Sequence, residues 1–178
     1  MAIHSPVKSR RTAGRNTEKT KQFISFRLRQ EWFALPIDAV QRVVQMGKIY
    51  GDPQGTGVSL TNFQGQETIV VDVAYLIFGE TSSLAQEQKT SSVVSEKNQP
   101  RILLIVQSNK GEIVGLPVDS TPVMRRVPDS AFTPIPETYM AQGNVRCISS
   151  TMIQLSDQPP MFLLDPNQLV EPQKLSSF

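Results

Sequence analysis

The feature that most constrains this chain is that it begins its fold twice. Ala34-Leu35-Pro36-Ile37-Asp38 in the first half returns as Gly115-Leu116-Pro117-Val118-Asp119 in the second. Each copy follows an apolar stretch and a polar turn. Each leads to valines, Val40 and Val43 or Val123 and Val127, and then to a proline loop, at Pro53 or at Pro134-Ile135-Pro136. Each closes on an apolar segment ending in an acid, Val70-Val71-Asp72 or Leu163-Leu164-Asp165. A period of about 80 residues is too long for a solenoid unit and suits two copies of a small barrel of about five short strands. A barrel of roughly 60 residues buries too little surface to be very stable alone, so two of them should pack together and create a third apolar layer between them. The proline in each copy removes a backbone donor and releases the chain from its sheet, and the acid that follows can hold the turn.

The rest of the chain reads accordingly. Phe23, Ile24, Phe26 and Leu28 predict a strand, Arg29-Gln30-Glu31 a turn, and Trp32-Phe33-Ala34-Leu35 the return strand of a hairpin. Trp32 and Phe33 fall on opposite faces of that strand, one toward a core and the other toward a contact surface. Asp38 is placed to cap a short helical turn carrying Val40, Val43 and Val44. Gly51, Pro53, Gly55 and Gly57 mark a loop. Strands are predicted near Val58–Phe63 and over Thr68–Val73, with Gly65 turning the chain between them, and Gly79 stops one helical turn at Ala74–Phe78. In the second half, Arg101–Gln107 and Glu112–Leu116 flank an Asn109-Lys110-Gly111 turn, Arg146–Leu155 and Met161–Leu164 read as strands, and Asp165-Pro166 opens a short helix. The organisation is a basic disordered arm over 1–21, one lobe over 22–79, a flexible polar loop over 80–100, a second lobe over 101–170 and a loose tail over 171–178.

Charge and composition narrow the function. Of the 178 residues 39% are apolar, enough for a packed interior, and the net charge is only +2. Residues 1–22 hold six basic side chains against Glu18, or +5, so the remaining body stands near −3. The longest apolar runs fall far short of the roughly 20 residues that span a bilayer. A lone Cys147 allows no intramolecular disulfide, which fits a cytoplasmic protein, and its apolar context reads as core. His4, the only histidine, lies in the arm, so a Ser-His-Asp or Cys-His arrangement has no base. The sequence has no phosphate-binding glycine motif and a poor ligand set for zinc, so neither a cofactor nor a metal is expected. Asp72 and Asp165 read as strand-ending acids that accept backbone hydrogen bonds. These features point away from an enzyme. A small-barrel nucleic-acid binder using the basic arm is the alternative, but aromatic content is only 7% and the body is slightly acidic, so a nucleic-acid partner is not expected.

The order and spacing of these stretches resemble the CheW-like family. The matching residues are Phe26-Arg-Leu, Phe33-Ala-Leu-Pro-Ile-Asp-Ala-Val40, Ser59-Leu-Thr-Asn62-Phe-Gln64-Gly65 and Ile69-Val-Val-Asp72-Val73, followed by Val114-Gly115-Leu-Pro-Val-Asp119, Pro134-Ile-Pro136 and Phe162-Leu-Leu-Asp165. The resemblance covers about residues 22–170. It departs from the family pattern at Ser59 for Gly, Gln64 for Arg and Ile69 for Pro. It implies a mainly β fold of two intertwined five-stranded SH3-like barrel lobes with short helices. It also implies a non-enzymatic adaptor of a chemotaxis-like pathway, recruited from the cytoplasm to membrane-bound receptor arrays. The implied partners are the regulatory domain of a CheA-type histidine kinase and the helical tip of a methyl-accepting chemoreceptor. In such adaptors barrel ends dock in rings and a groove between lobes takes the receptor helix. By position, Val40, Val43, Asn62, Gln64 and Gly65 are the implied partner-binding residues. Core packing is the plain alternative for Val40 and Val43, and an exposed turn position for Gln64.

Overall fold

The computed structural model describes residues 18–52, 55–79, 101–142 and 147–171. The readings of the arm before residue 18, of the 80–100 loop and of the last seven residues lie outside the described residues. In the first half the strands are β1 (Thr20–Leu28), β2 (Glu31–Pro36), β3 (Val40–Gln45), β4 (Ile49–Tyr50), β5 (Val58–Phe63) and β6 (Gln66–Val71), followed by helix α1 (Val73–Phe78). The second half supplies β7 (Ile102–Gln107), β8 (Ile113–Val118), β9 (Val123–Pro128), β10 (Phe132–Pro134), helix α2 (Glu137–Gln142), β11 (Ile148–Ile153), β12 (Met161–Leu164) and helix α3 (Pro166–Leu169). No helix among the described residues is long and apolar enough to cross a membrane.

The strands form two six-stranded sheets that exchange hairpins. Sheet 1 runs β10-β11-β12-β2-β1-β9 and sheet 2 runs β4-β5-β6-β8-β7-β3. Position for position the two orders match, with β1–β2 of the first half taking the place that β7–β8 of the second half takes in the other sheet. In each sheet the borrowed hairpin is joined by one parallel pairing, β12 with β2 or β6 with β8. The contiguous stretches 22–79 and 101–170 therefore do not each make a sheet of their own; the halves are interwoven. Each sheet has five strands of four residues or more plus one short strand, β4 or β10.

Short links force the sheets to roll. Strands β3 and β4 lie at opposite edges of sheet 2, yet only Met46–Lys48 join them. Four residue steps reach about 14 Å at most, whereas six flat strands would hold their edges about 24 Å apart. Sheet 1 repeats the device, with Asp129–Ala131 linking β9 to β10. The core falls into the three layers that two packed barrels require. Phe23, Ala34, Val127, Ile153, Met161 and Leu163 pack on one face of sheet 1. Val70, Leu103 and Ile105 pack with Val44, Met46, Ile49 and Phe63 on sheet 2. The largest cluster draws Phe26, Phe33 and Phe162 from sheet 1 and Val71, Leu104 and Leu116 from sheet 2.

The repeat is visible in atomic detail at the end of each half. Tyr75 N–H donates to Asp72 Oδ1 at 3.0 Å, and Asn167 N–H donates to Asp165 Oδ1 at 2.9 Å, so both acids cap the helix that follows their strand. Asp72 N–H donates to Gly57 O at 2.8 Å and Asp165 N–H to Cys147 O at 2.9 Å. Gly57 and Cys147 both adopt left-handed backbone, at φ +78° and +69°. Cys147 is buried in the shared core, as its sequence context implied.

Three expectations need correction. Val40, Val43 and Val44 do not lie on a helical turn: a 3-10 turn covers only Ile37–Ala39, Asp38 makes no cap, and Val40–Gln45 is strand β3, paired with β7. The stiff β-branched side chains suit that pleated edge better than a helix. Pro117 does not end its strand; β8 continues to Val118, and Asp119 instead accepts from the Arg29 N–H in the turn of the other half's hairpin. Strand β1 begins at Thr20, inside the stretch read as arm, because Thr20 and Lys21 pair with Pro128 and Val127.

Candidate functional site

The five residues implied as partner-binding fall into two groups. Asn62, Gln64 and Gly65 lie together on the β5–β6 hairpin, all exposed. Phe63 pairs with Gln66, so Gln64 and Gly65 form a two-residue turn, with φ of +52° and +81°. Two successive positive values match the hairpin turn whose twist fits its strands. Asn62 Oδ1 accepts from the Gly65 N–H at 3.0 Å and braces the turn from below. Gln64 is thereby held outward on a fixed backbone. Asn62→Ala is expected to cost about 0.5–1.5 kcal/mol, the net worth of one such hydrogen bond, read as a fall in the denaturant midpoint.

Val40 and Val43 lie on β3, at an edge of sheet 2, with three strands between β3 and β5 in sheet order. They do not share an environment. Val40 is partly buried against the shared core, so core packing accounts for much of its role. Val43 is 51% exposed. A shift in the pairing register between Val40 and Arg42 leaves Gln41, Arg42 and Val43 exposed in succession, as a bulge does when it re-aims side chains. Val44, next along, turns back onto the sheet 2 interior.

Sequence reasoning passed over several neighbours. Gln41 and Arg42 flank Val43, but a helical reading of this segment hides their shared exposure. Tyr50 on β4 lies beside the candidate turn, and its hydroxyl donates to Glu67 Oε1 at 3.4 Å. Desolvation, then the Glu67 carboxylate, raise its phenol above the ordinary value. Met124 is the counterpart of Val43: Val43 lies opposite Leu104 and Met124 opposite Ile24, at matching places in the two hairpins, and Met124 is 56% exposed. Aligning the two proline motifs brings Val43 and Met124 into the same column, a signal that was available in the sequence.

Among the described residues no group of three His, Cys, Asp or Glu side chains is placed to hold a metal ion. What the site presents is a braced polar turn and an apolar-tipped edge strand.

Comparison with known proteins agrees with this architecture. The family model described as CheW-like domain matches residues 22–174. Among curated proteins no relative matches the sequence. Among solved structures, the scaffolding protein TtCheW from Thermoanaerobacter tengcongensis is similar, at 18% identity and a TM-score of 0.59, over 87% of this chain and 90% of that one. The family match spans both interwoven sheets, and the solved neighbour shares their fold: the chain belongs to the CheW-like domain family.

Proposed function

We propose that this chain is an adaptor that couples methyl-accepting chemoreceptors to a CheA-type histidine kinase. Family membership supports a scaffold's role in chemosensory signalling and supplies no catalytic step. The observation that carries the finer reading is the Asn62–Gly65 turn, where the family places residues that meet partners and where this chain presents an exposed, braced Gln64. Val43 on the exposed edge of β3 would supply an apolar anchor of the kind an amphipathic helix docks against. Such an adaptor transmits state by differential contacts. It would act in the cytoplasm at receptor arrays.

The test is binding of the full chain to the regulatory domain of its own cell's CheA-type kinase and to a receptor-tip fragment. Gln64 stands where the family carries Arg, so the turn lacks a fixed charge and a forked donor. Gln64→Arg should tighten association with one of these partners by about tenfold, the scale of one charge-assisted hydrogen bond. The backbone at Gln64 is already set by the turn, so the change adds a donor without refolding the hairpin. Unchanged affinity for both partners would remove this turn from the interface. Salt-sensitive binding to RNA, with no protein binding, would instead favour the nucleic-acid reading.

A further inference from the structure

Trp32, the chain's only tryptophan, lies within cation–π distance of two guanidinium groups. Arg27, directly opposite on β1, places its Cζ 5.7 Å from the indole, and Arg125 from β9 places its Cζ 5.8 Å away. Both lie within the roughly 6 Å over which an aromatic face attracts a cation. Arg125 is fixed in place: its Nε donates to Ser25 Oγ at 2.8 Å and a terminal nitrogen donates to Gln158 Oε1 at 2.8 Å. Arg27 donates from a terminal nitrogen to the Gln30 carbonyl at 3.2 Å, while its Nε is buried with no acceptor. Every acceptor here is neutral. Among the described residues neither guanidinium forms an ion pair. Two cations are thus ordered, one of them partly desolvated, with no counter-charge. Much of the ordering and desolvation that anion binding requires has already been incurred.

The fold itself does not call for this arrangement. The strand registers equate the Arg27–Trp32 pair with Gln107–Ile113 in sheet 2, and Arg125, opposite Phe23, with Val44, opposite Leu103. The second copy therefore does without either arginine or the indole, and there Ile113 is 47% exposed. One sheet presents a cationic aromatic cluster where the other presents a neutral aliphatic one. Two equivalent places with unlike chemistry suit two unlike partners.

We propose that the Arg27–Trp32–Arg125 cluster is a docking site for a carboxylate side chain presented by a partner protein. The arginine fork matches a carboxylate in two-point geometry, and the indole offers apolar surface to the methylenes that carry it. A single carboxylate fits better than a nucleic-acid backbone, because the chain beyond residue 22 carries a net charge of about −3 that opposes a polyanion. The inference deepens the adaptor reading and rests on it for the partner being a protein.

The lone tryptophan makes the site directly observable. The full chain labelled with 5-fluorotryptophan gives a single fluorine resonance, at Trp32. It is titrated with the kinase regulatory domain, with the receptor-tip fragment and with a single-stranded oligonucleotide. The resonance should move on adding one of the two proteins. Arg27→Gln combined with Arg125→Gln should weaken that association by roughly tenfold or more, with folding of the variant verified by its circular dichroism. Protein binding with an unmoved resonance would overturn this docking site and leave the adaptor reading standing. Binding by neither protein would overturn both. A resonance moved only by the oligonucleotide would overturn the carboxylate in favour of phosphate.

Discussion

Phe33→Ala is expected to destabilise the protein by about 3–5 kcal/mol, the range for truncating a buried phenylalanine, and still to give one unfolding transition. Phe33 is 1% exposed and lies among rings, 5.7 Å from the Phe162 centroid and 6.5 Å from that of Phe78. These rings come from three elements, β2, β12 and α1. Parallel pairing of β12 on β2 sets Phe162 directly beside Phe33, so the backbone holds the walls of the cavity apart and little collapse can offset it. The single transition follows from topology. Phe33 belongs to the cluster that both sheets share, and each sheet contains a hairpin from the other half of the chain. Neither half of the chain can melt without removing strands from both sheets. A denaturant titration followed by Trp32 fluorescence, which reports sheet 1, and by far-ultraviolet circular dichroism, which reports both sheets, measures this. Coincident curves at a lowered midpoint are the expected result. Two separated curves would mean that the sheets fold independently and that the shared layer contributes little.

The interweaving also marks what could be read before the structure. The repeated Leu-Pro-Ile/Val-Asp motif and the strand-ending Asp72 and Asp165 were legible because they rest on local rules, apolar runs, turn residues and helix caps. The hairpins β1–β2 and β7–β8 were legible for the same reason. Which sheet a hairpin joins is a long-range choice, and the family resemblance, not spacing, implied the intertwined lobes. The segment after Pro36 was misread because Val40, Val43 and Val44 fit a helical period as well as a bulged strand; the bulge in its pairing with β7 decides, and pairing is not written locally. At the candidate site, the grouping of Asn62, Gln64 and Gly65 was legible because a hairpin turn is short. The cluster around Trp32 was not. Arg27 lies near it in sequence, but Arg125 arrives on β9 from the other half, and only the strand order of sheet 1 brings it there.

Gly115→Val is the second substitution with a large expected effect, about 2–3 kcal/mol of destabilisation, at the upper end for forcing methyl groups into a packed core. Gly115 lies on β8, opposite Ile105 of β7 on one side and Val70 of β6 on the other, at the single place where the two halves of sheet 2 meet in parallel. Its backbone does not require glycine. The space above it does: a Cβ built there would lie 3.0 Å from Leu103 Cδ1, 3.1 Å from Cδ2 and 3.2 Å from Cγ. Leu103 cannot swing aside, since it is 1% exposed and packed with Val70, Ile105 and Phe63. The side chain absent from Gly115 is in effect supplied by Leu103, so the two positions should be coupled. Leu103→Ala alone should cost about 2–5 kcal/mol through the cavity it leaves. The double variant should fall short of the summed single losses by about 1–2 kcal/mol, because valine at 115 would occupy part of that cavity. Midpoints and slopes from four denaturant titrations complete the cycle. Strict additivity would mean that the crowding is relieved by a backbone shift in β8, and that Leu103 is not what makes this position glycine. Gly115 is buried, so no partner can reach it directly, and a binding defect in Gly115→Val would have to come through displaced strands. Strand β6, which pairs with β8 here, runs back to the Gln64–Gly65 turn, and that is the route by which a packing fault at the seam would reach the candidate interface.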